Sequence, residues 1–311
     1  MKVIAVPLCS VMALCVCSMA FCADESQETP ARRPLILLTN DDGIESAGIK
    51  ALMKELPRVA DVIVVAPATN KSGVSQSLTY RGDIKVFKRE VPEELKDLER
   101  KPLALYAVEG TPATCVLLGA GNLSQGRSFD LVVSGINPGS NIGSDGNLSG
   151  TVGAARMGAD IGLAGLAVSS ASGSKYVAQI AASLASFIEQ AFSAGVEKGV
   201  LFNVNYPGGD PKDWKGAALT DVGAGNYKIN FRKVEGGEGA SEPPQEDKTL
   251  LLFRAAFARA GGEAAGGTAR AGIAAGKICV TPIASLSLSS KASSKSLSMI
   301  RKRLAGLAFF K

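Results

Sequence analysis

Asp41 and Asp42 stand side by side in Thr39-Asn40-Asp41-Asp42-Gly43, directly after the apolar run Leu35-Ile36-Leu37-Leu38. Adjacent carboxylates at the end of a buried segment repel one another unless positive charge lies between them. A hard divalent cation takes oxygen ligands and would relieve that repulsion. A solvated Asp-Asp-Gly turn accounts for the same residues without chemistry, and the motif alone leaves both readings open. Two more stretches have the composition of ligand loops. Asn70-Lys71-Ser72-Gly73 is polar, and Ile136-Asn137-Pro138-Gly139-Ser140-Asn141-Ile142-Gly143 is rich in Gly and Asn. The second can turn backbone N–H groups toward an anion at close range. Ser149-Gly150-Thr151-Val152-Gly153-Ala154-Ala155 opens a helix of very small residues with Ser149 as its N-cap. The exposed amides and dipole of such an end suit a phosphate, although close helix packing asks for the same small side chains.

The chain contains no histidine. That excludes the Ser-His-Asp triad, the Cys-His pair, the His-Glu-x-x-His zinc site and phosphohistidine chemistry. Acid–base work in an enzyme of this composition falls to carboxylates, Lys, Tyr or metal-activated water. Cys9, Cys15, Cys17 and Cys22 lie near the start, and only Cys115 and Cys279 lie beyond. Their spacing is not that of a zinc site, and both read as small buried apolar residues. The net charge of +5 is small and falls partly in the C-terminal tail. No basic stripe is interleaved with aromatics, so nucleic acid is not an expected partner.

The elements that must position these residues follow a strand–helix rhythm. Leu35–Leu38 reads as a buried strand, and Ile49, Leu52, Met53 and Leu56 form a helical stripe. Asp61 to Pro67 is a second strand, which delivers the Ser72 loop. Phe129 to Gly135 is a third, which delivers the Asn137 loop. Leu166–Ser170 and Val200–Tyr206 are further strands, separated by a helix over Tyr176 to Phe192. Continuous Val/Ile/Leu runs alternating with helices indicate a parallel sheet covered on both faces, and such sheets place ligands at the carboxyl ends of their strands. Thr111 and Pro112 cap another helix. Residues 83–108 read as an excursion away from the sheet with a solvated face.

After Tyr206 the composition shifts. Residues 208–248 are rich in Gly, Pro and charge and predict hairpins, with Asn226–Phe231 alternating. Lys277–Ile283 reads as one more strand returning to the main domain. Leu297, Ile300, Leu304 and Leu307 form an apolar stripe near the end of the chain. Met1-Lys2 and the apolar run from Val3 to Phe21 have the form of a secretory signal peptide, with cleavage expected near Ala20 or Ala23. The organisation expected is a signal peptide at 1–23, a Rossmann-like catalytic domain at 34–207 and a C-terminal extension at 208–311.

These motifs, taken in order with Gly110-Thr111-Pro112, Asn203-Val204-Asn205-Tyr206-Pro207 and Val280-Thr281-Pro282, resemble the SurE survival-protein family from about Leu35 to Ile283. The resemblance implies a metal-dependent 5′-nucleotidase or acid phosphatase acting on nucleoside monophosphates. It implies a three-layer α/β/α sandwich with a Rossmann-like, mostly parallel sheet, extended by a C-terminal hairpin and helix used in oligomerisation. One Mg²⁺ or Mn²⁺ per subunit is expected on Asp41, Asp42, Ser72 and Asn137, with Asp41 and Asp42 as catalytic residues. Phosphate or substrate contacts are expected from Asn40, Gly43, Asn141, Ser149, Gly150 and Thr151. Leu148 stands where relatives usually carry an aromatic residue, and Gln76 where they often carry Asn or His. The resemblance also implies a homodimer or homotetramer in which the terminal helix packs on a neighbour. Relatives are mostly cytoplasmic, whereas the leader implies export to a bacterial periplasm, without stable membrane association once the leader is cleaved. Two other readings remain open: an aspartyl-phosphate enzyme with Asp41 as nucleophile, and a non-catalytic nucleotide binder.

Overall fold

A computed structural model describes residues 32–195, 197–234, 252–259, 264–284 and 290–310. The expected leader lies outside them. The apolar runs form strands because their side chains are buried on both faces. In β1 (Leu35–Thr39) every residue is buried. Ile36 and Leu38 join one core cluster, while Leu35 and Leu37 join another on the opposite face. This is the period-2 division of an extended segment between two covering layers.

β1 is flanked by β2 (Asp61–Pro67) and β5 (Leu131–Asn137), both parallel to it. β6 (Ala164–Ser170) and β7 (Val200–Tyr206) extend the parallel sheet beyond β5. The connections from β1 therefore run first to one side and later to the other. The crevice between β1 and β5 is the topological switch point, where α/β sheets of this kind bind ligands. α1 (Ala47–Glu55) and α5 (Val177–Ser193) cover one face. α3 (Pro112–Asn122) and α4 (Gly150–Asp160) cover the other.

The structure corrects the reading of residues 83–108. β3 (Val86–Arg89) is an exposed edge strand, but β4 (Ala104–Val108) lies inside the sheet, parallel to β2. Between them α2 (Glu93–Lys96) carries the charged run that makes the whole segment read as solvated.

Beyond β7 the chain stays in the same compact unit, Arg33–Lys311. β8 (Ala217–Leu219) and β11 (Ile278–Ala284) complete the sheet beside β7, with β11 antiparallel to it. β9 (Tyr227–Val234) and β10 (Leu252–Arg259) form a separate antiparallel ribbon. α6 (Ala269–Ala274) precedes β11.

α7 (Ser290–Ala305) packs on its own domain in this single chain. Ile300 and Leu304 are buried in the core of their own domain, with Leu297 and Leu307 packed against it. Phe309 stacks on Phe187 at 4.9 Å between ring centroids. Arg301 pairs with Asp221 at 2.7 Å and also reaches the Thr220 carbonyl. The apolar stripe thus meets a groove beside α5 and β11 that a reading of the helix alone does not reveal. Among the described residues, no helix is long and apolar enough to cross a membrane.

Candidate active site

The loops leaving β1, β2 and β5 meet above the switch point. Asp41, Asp42, Ser72, Asn137, Asn141 and Ser149 line one cavity of about 660 Å³. Residues from three separate loops and a helix cap are brought together there.

Each loop is held by its own polar groups. Asn40 does not line the cavity; its amide donates to the Gly43 carbonyl and Ser46 Oγ, and its Oδ1 accepts from Gly43 N–H. It staples the turn that presents the aspartates. Gly43 has φ +101°, and a Cβ there would lie 3.3 Å from the Thr69 backbone. The turn is further tied to the end of β2 by Ile44 N–H donating to Pro67 O, and to the Ser72 loop by Lys71 N–H donating to Asp41 O.

Thr151 is fully buried and donates its hydroxyl proton to Asp41 Oδ1 at 2.5 Å. A Cβ on Gly150 would come within 2.8 Å of Asp41 Cβ, so glycine lets the start of α4 approach the carboxylate closely. Gly150 and Thr151 pack against Asp41, and the Thr151 hydroxyl fixes its orientation. Ser149 caps α4 as expected, accepting from Val152 N–H at 3.2 Å.

Asp41 is almost completely buried, and burial pushes its carboxyl above the usual range, with the Thr151 hydrogen bond opposing the shift. Asp42 is pushed up to about 6, first by burial and then by the neighbouring Asp41 charge. Asp42 Oδ2 is buried without a hydrogen-bond partner in the protein. Thr39 Oγ1 and Ser134 Oγ, which are register partners across β1 and β5, are likewise unpartnered. A buried acceptor left unpaired is costly. A cation would satisfy it and lower the carboxyl pKa values together. Asn137 donates its amide to Gly139 O at 2.7 Å, which reserves its side-chain oxygen for another partner. Among the described residues there is no cluster of three or more His, Cys, Asp or Glu able to hold a metal. The available set is two carboxylates with neutral oxygens, the hard donors that suit Mg²⁺ or Mn²⁺.

The structure gives roles in the site to residues for which the sequence reading assigned none, Asn203, Asn205 and Ser169 among them. Asn141 N–H donates to Asn205 Oδ1 at 2.9 Å, and Asn203 donates its amide to Asn141 O at 2.7 Å. Asn141 in turn donates to Ser169 Oγ at 3.0 Å. This buried network anchors the glycine-rich loop on β6 and β7. The alternation of Asn203 and Asn205 in an otherwise apolar strand is the signal that marks them. Asp145 and Ser140 also line the cavity, as do Tyr227 and Ile229 from β9. Leu148 lines it with its side chain exposed, whereas Gln76 pairs with Asp160 at 2.8 Å and is not a lining residue.

The family model described as "Survival protein SurE" matches residues 36–229. A 5′-nucleotidase SurE of Methylobacterium sp. (strain 4-46) is 36% identical over 255 residues, covering 80% of this chain and 92% of the relative. A 5′-nucleotidase SurE of Syntrophomonas wolfei subsp. wolfei (strain DSM 2245B / Goettingen) is 39% identical over 237 residues, covering 71% and 85% respectively. The crystal structure of the Sure protein from Aquifex aeolicus superposes with a TM-score of 0.66 at 31% identity, covering 86% of this chain and 99% of that one.

Proposed function

The chain belongs to the SurE survival-protein family, and from that premise we propose that it hydrolyses nucleoside 5′-monophosphates to nucleoside and phosphate with the help of a divalent cation. The observation that carries this reading is the meeting of Asp41, Asp42, Ser72 and Asn137 in one cavity with an unpartnered carboxylate oxygen among them. Those residues would hold one Mg²⁺ or Mn²⁺ per subunit. When bound, such a cation supplies Lewis acidity toward a phosphoryl oxygen and acidifies water.

The protein groups divide the remaining work. Thr151 holds Asp41 in one orientation through its hydrogen bond. Asp42, more exposed than Asp41, offers a carboxylate oxygen to hold or accept a proton from the attacking water. The α4 N-terminus, with Ser149 at its cap, turns its amides toward charge developing on the phosphoryl oxygens. Trapping of a phosphoenzyme on Asp41 would favour the aspartyl-phosphate alternative over attack by water.

The same proposal includes assembly as a homodimer or homotetramer, and export directed by residues 1–23. The activity test is phosphate release from a nucleoside 5′-monophosphate by purified chain. We expect turnover to stop in excess chelator and to return on adding Mg²⁺ or Mn²⁺. Undiminished turnover by the chelated protein would refute the metal-assisted reading, and no turnover in any metal would refute the nucleotidase reading.

A further inference from the structure

The loop that carries Ser72 is docked on the start of α4 by contacts that the hydrolytic step does not use. On one side of Ser72, Lys71 N–H donates to Asp41 O. On the other, Ser75 N–H donates to Leu148 O at 3.1 Å, and Ser75 Oγ donates to Asn147 O at 2.6 Å. The next residue, Gln76, donates its amide to Asp160 Oδ2 at 2.8 Å, near the far end of the same helix. Ser75 thus joins the loop after β2 to the chain that runs from the Asn137 loop into the Ser149 cap.

The sequence makes room for this joint at a cost on both sides of it. Ser75 has φ +53°, in the left-handed region that glycine and asparagine enter more readily than serine. A costly backbone conformation persists where surrounding contacts hold it, and here both the amide and the hydroxyl of the residue are engaged. Gly153 of α4 lies beneath, where a Cβ would sit 2.3 Å from Ser75 O and 2.8 Å from Gln76 N. Alanine is the better residue inside a helix, so glycine at this place answers to the loop backbone resting on α4. Ser72 itself is exposed, and its N–H donates to Asn70 Oδ1 inside the same loop. Its place beside the aspartates therefore depends on the ties at Lys71 and Ser75.

We propose that Ser75 is a positioning residue of the cation site, acting through Ser72 by locking the loop after β2 against α4. The inference rests on the cation reading of that site. Thr151 of the same helix orients Asp41, so α4 sets the carboxylate and the Ser72 loop against one rigid frame. With the loop docked, the Ser72 oxygen is preorganised beside the two carboxylates. With the loop loose, that oxygen has to be ordered when the cation binds, and the ordering weakens affinity. Residues that orient metal ligands without touching the metal govern affinity by about ten- to a hundredfold.

The test uses the full chain stripped with chelator, as wild type, Ser75→Gly and Gly153→Ala. Ser75→Gly keeps the positive φ without strain and removes the hydroxyl. Gly153→Ala suits the helix and pushes the loop backbone away from it. Titration with Mn²⁺, followed by electron paramagnetic resonance, is expected to show affinity weakened about tenfold in each variant. The melting temperature of stripped Ser75→Gly should stay within about 2 °C of wild type, since the bond it loses is exposed. Hydrogen exchange in the stripped protein should be faster over residues 71–77 in both variants. Mn²⁺ bound by either variant as tightly as by wild type would overturn the role of Ser75 and leave the cation reading in place. Weakened binding by Ser75→Gly with a matching fall in overall stability would overturn it too, as a merely structural effect. Wild type that binds no Mn²⁺ would overturn both.

Discussion

Asp42→Asn is expected to lower kcat/KM for nucleoside monophosphates on the order of a thousandfold while leaving the fold intact, in line with loss of a charged group that serves both cation and water. The variant keeps the size and shape of the side chain, so the turn fixed by Asn40 and Gly43 should persist. It removes a carboxyl whose pKa is pushed up to about 6 by burial and by Asp41. A raised carboxyl pKa means that the folded chain binds the proton more readily than the unfolded chain. In cation-free wild type the contribution from Asp42 is therefore fully present below about 3.8, the unfolded value, and is lost as pH rises through about 6. Thermal melts in chelator should show that loss for wild type and a flatter profile for Asp42→Asn. Denaturation and steady-state kinetics on one preparation separate the two effects. Full activity in the variant would remove Asp42 from the site.

Asn205→Leu should damage both stability and turnover. Asn205 Oδ1 accepts from Asn141 N–H, and its amide donates to Asn203 Oδ1 at 3.1 Å, all in a buried setting. Leucine leaves that donor and that acceptor without partners inside the protein, a cost of about 1–3 kcal/mol for each group. The loop bearing Asn137 and Asn141 would lose its anchor on β7. A displacement of about 1 Å in a positioned group can cost about a hundredfold in rate, and a loss of that size is expected in kcat. Urea denaturation and kinetics measured together check it. A variant as stable and as active as wild type would show that the asparagine network does not hold the loop.

The parts of this architecture that rest on local pattern were legible in the sequence. Leu35–Leu38 and Asp61–Pro67 carry unbroken apolar runs, and the polar residues after them had to emerge at one edge of a parallel sheet. The Ser149 cap follows from residue type and the small helix behind it. β4 was hidden because Ala104–Val108 is short and follows a charged stretch, so that its burial depends on β2 alongside. The hydrogen bond from the Thr151 hydroxyl to Asp41 is not legible in the sequence, since it spans more than a hundred residues of chain. Tyr227 gives no sign of its place either, since hydrogen bonds to Ser144 and Asp145, far away in sequence, bring β9 to the cavity. The stripe on α7 announces burial but not its partner, and the domain itself proved to supply the groove.

The central claim is that Asp41, Asp42, Ser72 and Asn137 hold a divalent cation in this chain. Its most direct test is a titration of the chelator-stripped protein with Mn²⁺, followed by electron paramagnetic resonance. The account predicts one bound Mn²⁺ per chain, displaced by excess Mg²⁺ and lost in Asp42→Asn. Wild-type protein that binds no Mn²⁺, or Asp42→Asn that binds it as tightly as wild type, would contradict the account.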